Sequence, residues 1–142
     1  MLTRRILALT AAATLGAFVI PASAEAAPAA TDHGTFSEVI YTTAAGTQTT
    51  SPAAGTWNVA VHGSTVGTAT FNIFVDGVHH LAYGIPGQQV TPTPDGWTFN
   101  FPTLAGQLYV TLDGNTLTYD IPDYSYEGTS LADVTYVGHV GK

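Results

Sequence analysis

The chain has 142 residues, no cysteine and only 9% charged residues, with ten acids against Arg4, Arg5 and Lys142 and a formal net charge of −7. This length fits one domain. The missing cysteine removes disulfides, thiol nucleophiles, iron–sulfur clusters and cysteine zinc sites. So few cations leave nothing to neutralise phosphates, which speaks against nucleic acid as a partner.

In chain order, the first element is an address. Arg4 and Arg5 precede an apolar run from Ile6 to Ile20, Pro21 ends that run, and Ala22-Ser23-Ala24 follows as a small-x-small cleavage site. This layout predicts that residues 1–24 are a secretory signal peptide, and the run is too short to span a bilayer comfortably. The expected product is extracellular, with no membrane span after cleavage. Its Ala-rich signal suggests a bacterial source. The paired arginines leave the general and twin-arginine export routes both open. Cleavage would take the net charge from −7 to −9, because two of the three cations leave with the signal. Residues 25–33 read as a flexible tail, and 34–142 as a single antiparallel β domain.

Period-two alternation dominates the rest, and no stretch shows a helical apolar stripe. Eight strands are expected. They lie at Phe36 to Thr42, around Trp57-Val59-Val61, and along Ala69-Phe71-Ile73-Val75. Further strands are Val78 to Tyr83, Trp97-Phe99-Phe101, Leu108-Val110-Leu112, Leu117-Tyr119-Ile121, and a last one through Val134 and Tyr136. Between Asp113 and Thr116, a Gly114-Asn115 turn would set Leu112 opposite Leu117 and Val110 opposite Tyr119. At Asp76-Gly77, a three-residue loop with a glycine bulge would set Ile73 opposite His79 and Phe71 opposite Leu81. That register gathers Leu81 and Tyr83 with the apolar face and is preferred over a two-residue loop. Hairpin order without helical crossovers predicts an all-β fold, a small antiparallel eight-stranded barrel, with a two-sheet β-sandwich as the alternative. Gly55-Thr56-Trp57, opening a strand and followed by Gly63-Ser64-Thr65, resembles the first hairpin of avidin-like and lipocalin-like barrels. The resemblance implies a calycin-like barrel. Biotin binders of that kind line their pocket with several tryptophans, whereas this chain has Trp57 and Trp97 alone.

Three kinds of side chain are candidates for chemistry. Trp57, Phe71, Trp97, Phe99, Tyr119 and Tyr136 lie on apolar faces and are the expected ligand-binding residues if the barrel holds a small molecule. Asp123, Ser125 and Glu127 occupy alternate positions before Gly128, as in the first half of a calcium loop, with Asp133 as a late ligand; calcium is the one cofactor this pattern suggests. The adjacent His79 and His80 point to opposite faces of a strand and do not make a metal pair. No Gly-x-Ser-x-Gly motif is present. The leading expectation is therefore a secreted, non-enzymatic barrel that binds a neutral or apolar small molecule. The alternatives are an extracellular interaction or inhibitor module whose acidic surface meets a basic protein, and a small barrel enzyme of the cyclase or isomerase type.

Overall fold

The computed structural model describes residues 29–141. The expected signal peptide, the start of the expected tail and Lys142 lie outside the described residues. Among the described residues ten strands form: β1 Ala29–Thr42, β2 Gln48–Pro52, β3 Ala54–His62, β4 Thr65–Val75, β5 Val78–Gly84, β6 Thr91–Thr93, β7 Gly96–Thr103, β8 Gly106–Asp113, β9 Thr116–Tyr126 and β10 Thr129–Val140. They make one antiparallel sheet in the order β5-β4-β3-β1-β10-β9-β8-β7-β6, with β2 pairing the second half of β1 and β3 the first half. Among the described residues, no helix is long and apolar enough to cross a membrane.

The all-β expectation holds, but the eight-stranded closed barrel does not form. The eight anticipated strands are all present. The two additional ones, β2 and β6, are short, and their side chains are mostly exposed, so they carry no apolar alternation. The ladder stays open, ending at β5 and β6, and it is one sheet rather than the two of a sandwich. β1 also starts earlier than the apolar pattern suggests, because residues 29–35 pair with β3.

The sheet rolls over its own apolar face. Register shifts at Ala60/Val61 and at Val137/Gly138 mark bulges, which increase local twist and bend the strands. Strands far apart in the ladder then meet. Phe71 of β4 lies 4.9 Å from Tyr119 of β9 and 6.5 Å from Phe101 of β7, measured between ring centroids. The chain from Ile85 to Val90 bridges the two ends. Val66 N–H donates to the Gln88 carbonyl at 2.9 Å and Val90 N–H to the Ser64 carbonyl at 2.8 Å, before the chain joins β7 as β6. Gly34 is required by close approach: a Cβ there would fall 1.8 Å from the backbone oxygen of His139 and 3.0 Å from the Trp57 ring.

The two hairpins test the turn chemistry. The β8–β9 register is as expected, with Leu112 opposite Leu117 and Val110 opposite Tyr119. The β4–β5 hairpin differs. Its loop is the two-residue Asp76-Gly77, which sets Ile73 opposite His80 and Phe71 opposite Ala82. Asp76 and Gly77 both have positive φ, at 51° and 78°, the conformation that a type I′ turn needs and that Asp-Gly supplies. Turn geometry overrides apolar matching because β5 is an edge strand. Leu81 and Tyr83 consequently point outward.

Candidate functional site

The six aromatic residues expected to line a pocket form the core instead. Trp57, Phe71, Trp97, Phe99, Tyr119 and Tyr136 are at most 7% exposed. They pack edge-on or stacked, as with Tyr119 and Tyr136 at 5.4 Å and Phe99 and Phe101 at 6.0 Å. One polar tie crosses this interior: Trp97 Nε1–H donates to Asp32 Oδ2 at 3.1 Å, joining β7 to β1. The Trp57 indole N–H is buried, with no hydrogen-bond partner among the described residues.

Tyr41 and Tyr124, both partly buried, lie close enough to Tyr136 to interact with it electrostatically. Tyr136 also contacts His80, its ring centroid 6.5 Å away. Burial pushes the Tyr119 hydroxyl well above the ordinary phenol range, with Tyr136 adding to the effect. Tyr136 is raised by burial and then by Tyr41 and Tyr124. Phenols shifted in this direction stay protonated at neutral pH and serve as hydrogen-bond donors, not as bases.

The four residues expected to hold calcium are not drawn together as a loop. Tyr126 pairs with Thr129, so Glu127 and Gly128, with φ of 47° and 83°, form a tight two-residue turn. Asp133 sits opposite Pro122 and shares a side-chain hydrogen bond with Asp120. Among the described residues, no group of three or more His, Cys, Asp or Glu side chains could hold a metal ion. The Asp120–Asp133 pair is a feature of its own. The Thr135 hydroxyl lies 2.8 Å from Asp120 Oδ1 and 2.5 Å from Asp133 Oδ2. One hydroxyl carries one hydrogen, so a proton on a carboxyl group completes the set. Burial, the hydrogen bond to Asp133 and the charge of Asp133 push Asp120 up to about 6, against an opposing pull from Thr135.

Two concavities flank β3 on the outer face of the sheet. One, of about 360 Å³, is lined by Thr56, Trp57, Asn58, Thr68, Thr70 and Asn72. The other, of about 250 Å³, adds His33, Gly34, Thr35 and Gly141 to the same stretch of β3. The register explains the grouping. Thr35, Thr56 and Asn72 form one row across β1, β3 and β4, and His33, Asn58 and Thr70 form the next. Leu81 and Tyr83 of β5 extend the two rows. Neighbouring strands lie ~4.8 Å apart, so the rows present hydroxyl and amide groups as a grid. Asn72 is held in place: its Oδ1 is 3.0 Å from His79 Nε2, and the His79 ring stacks on Phe74 at 4.5 Å. An amide oxygen accepts only, so His79 donates and the Asn72 NH₂ group is left for other partners.

No Asp, Glu, Lys or Arg lines either concavity. Of the six aromatics named from sequence, Trp57 alone borders them. Sequence reasoning passed over Thr56, Asn58, Thr70 and Asn72 although the signal was present, since they alternate with Trp57, Val59, Phe71 and Ile73 as the outward set. Comparison with protein-family models, curated proteins and solved structures finds no match.

Proposed function

We propose that the protein is a secreted, non-catalytic binding domain. Its outer sheet face over β3 and β4 takes a neutral ligand with hydroxyl groups and an apolar side, the chemistry of a sugar ring. The observation that supports this reading is the lining of the trough: threonine hydroxyls and asparagine amides, with no ionised side chain, in a chain that carries ten acids. Without a cation the trough cannot pair the charge of an anionic ligand, and without a carboxylate it does not select a cationic one. Neutral hydrogen bonds fix orientation, and the exposed Tyr83 ring beside Thr70 offers an amphipathic surface for the apolar side of the ligand. The signal-like residues 1–24 support an extracellular setting. The raised tyrosines and the packed interior favour binding over catalysis.

Calorimetric titration with a panel of neutral oligosaccharides (cellohexaose, laminarihexaose, chitohexaose) and one polyuronate tests this. At least one neutral member should bind and the polyuronate should not. Asn58→Ala and Asn72→Ala should each weaken binding by about tenfold, the loss of one hydrogen bond of about 1.4 kcal/mol. Silence across the neutral members, or preference for the polyuronate, refutes the proposal.

A further inference from the structure

Among the described residues β5 is a free edge and pairs with β4 alone. In a two-residue hairpin closed at Val75 and Val78, hydrogen-bonded and non-bonded pairs alternate. The backbone groups of Val78, His80, Ala82 and Gly84 therefore turn toward β4, and those of His79, Leu81 and Tyr83 turn away. Among the described residues, no backbone hydrogen bond outside the ladders reaches Val78–Gly84. The opposite end of the sheet is protected. β6 has only three residues, with Pro92 inside it and Pro94 just after it, and proline and shortness both blunt an edge. β5 has neither device, nor any charge: no Asp, Glu, Lys or Arg stands between Asp76 and Asp95.

The outward face of this edge is apolar. Leu81 is 46% exposed, Tyr83 64% and Phe74 42%, and Phe74 carries the stacked His79 ring. We propose that β5 is a homodimer interface, in which two copies pair β5 with β5 antiparallel about a two-fold axis at Leu81. The outward-turned backbone groups of His79, Leu81 and Tyr83 then find the same set on the second copy. In this register Leu81 faces Leu81 of the second copy, and His79 faces Tyr83 of the second copy. The Phe74–His79 stack is thereby continued by a third ring. The surface is self-complementary, as a two-fold interface must be.

Charge selects the occupant. A basic partner would find no carboxylate on this edge. A second copy brings a strip that is equally uncharged, so no ion is desolvated and the acids of the two chains stay apart. Pairing would also set the two troughs side by side on one continuous face, although the dimer does not depend on their having a ligand.

Sedimentation velocity on the purified chain, from about 5 to 500 µM, tests the proposal, since a small interface of this kind associates at about micromolar concentration. The expected result is a shift to twice the monomer mass across that range. Leu81→Lys and Leu81→Glu should each be monomeric, with unchanged far-ultraviolet circular dichroism, because each places like charges face to face. Mixed together, they should restore the dimer, since lysine then faces glutamate across the axis. Tyr83→Lys is a second variant and should weaken association by about tenfold or more. A wild-type chain that stays monomeric to about 500 µM overturns the proposal. So do folded lysine and glutamate variants that still dimerise alone, or that stay monomeric when mixed.

Discussion

Asp32→Ala probes how the roll is held. Asp32 lies on β1 and Trp97 on β7, four places apart in the ladder, and their side chains meet at 3.1 Å across the interior. A hydrogen bond to an ionised acceptor contributes about 1.5–3 kcal/mol. Trp97 is 2% exposed, so its N–H has no water to turn to once the carboxylate is gone. Asp32 itself is half-buried and partly solvated, which places the loss near the lower part of that range, at about 2 kcal/mol. For a domain of this size that corresponds to a drop in Tm of about 8 °C. Asp32→Asn keeps an acceptor while removing the charge and should cost about 1 kcal/mol. It also controls for relief of repulsion in an acidic chain. Urea unfolding followed by circular dichroism supplies the values. A double-mutant cycle with Trp97→Phe isolates the pair and should return a coupling of about 1–2 kcal/mol. An Asp32→Ala loss below about 0.5 kcal/mol, or a coupling near zero, would show that the tie does not hold the two walls together.

Phe71→Ala removes a fully buried ring that contacts Phe101 and Tyr119 and should destabilise by about 3–5 kcal/mol in the same assay; a loss below about 1 kcal/mol would mean that the interior is not packed as described. Gly34→Ala should abolish folding, seen as lost dispersion of amide resonances, because the new Cβ meets the His139 backbone oxygen rather than a movable side chain. Asp120 holds its proton to about pH 6 in the folded protein against an ordinary value of 3.8. The folded state therefore binds more protons between those values, and its stability should fall as pH rises through about 6. Asp120 is partly exposed, so solvent screening keeps this decline under about 1 kcal/mol. Subtracting the Asp120→Asn profile from that of the wild type isolates it, and a difference that grows in the opposite direction with pH contradicts the assigned shift.

Much of the fold was legible because alternation marks a buried face. Trp57, Val59 and Val61, or Leu117, Tyr119 and Ile121, declare both strand and orientation, and all six are buried. The β8–β9 register was legible because turn chemistry and apolar matching agree there. They disagree at β4–β5, where matching favoured an inward Leu81 and the Asp76-Gly77 turn imposes an outward one. An edge strand is not obliged to hide its apolar residues, so matching is the weaker guide. β2 and β6 left no trace because their side chains do not face the core. Closure could not be read at all, since whether a sheet shuts or merely rolls depends on bulges such as those at Ala60/Val61 and Val137/Gly138. The candidate site lay on the face that alternation analysis disregards. Large aromatics drew attention as a pocket lining, whereas in a small roll they fill the interior. Thr56, Asn58, Thr70 and Asn72 were visible as the polar half of the same pattern, but only the register shows that they form rows.

The most direct test is a nuclear magnetic resonance titration with the neutral oligosaccharide that binds most tightly, following side-chain N–H signals. The outer-face account predicts that the Asn58 and Asn72 amide signals shift in step with ligand concentration while the Trp97 indole signal, tied to Asp32 inside the roll, stays fixed. Movement of the Trp97 signal with the two asparagine amides unchanged would place the ligand in the interior and contradict it.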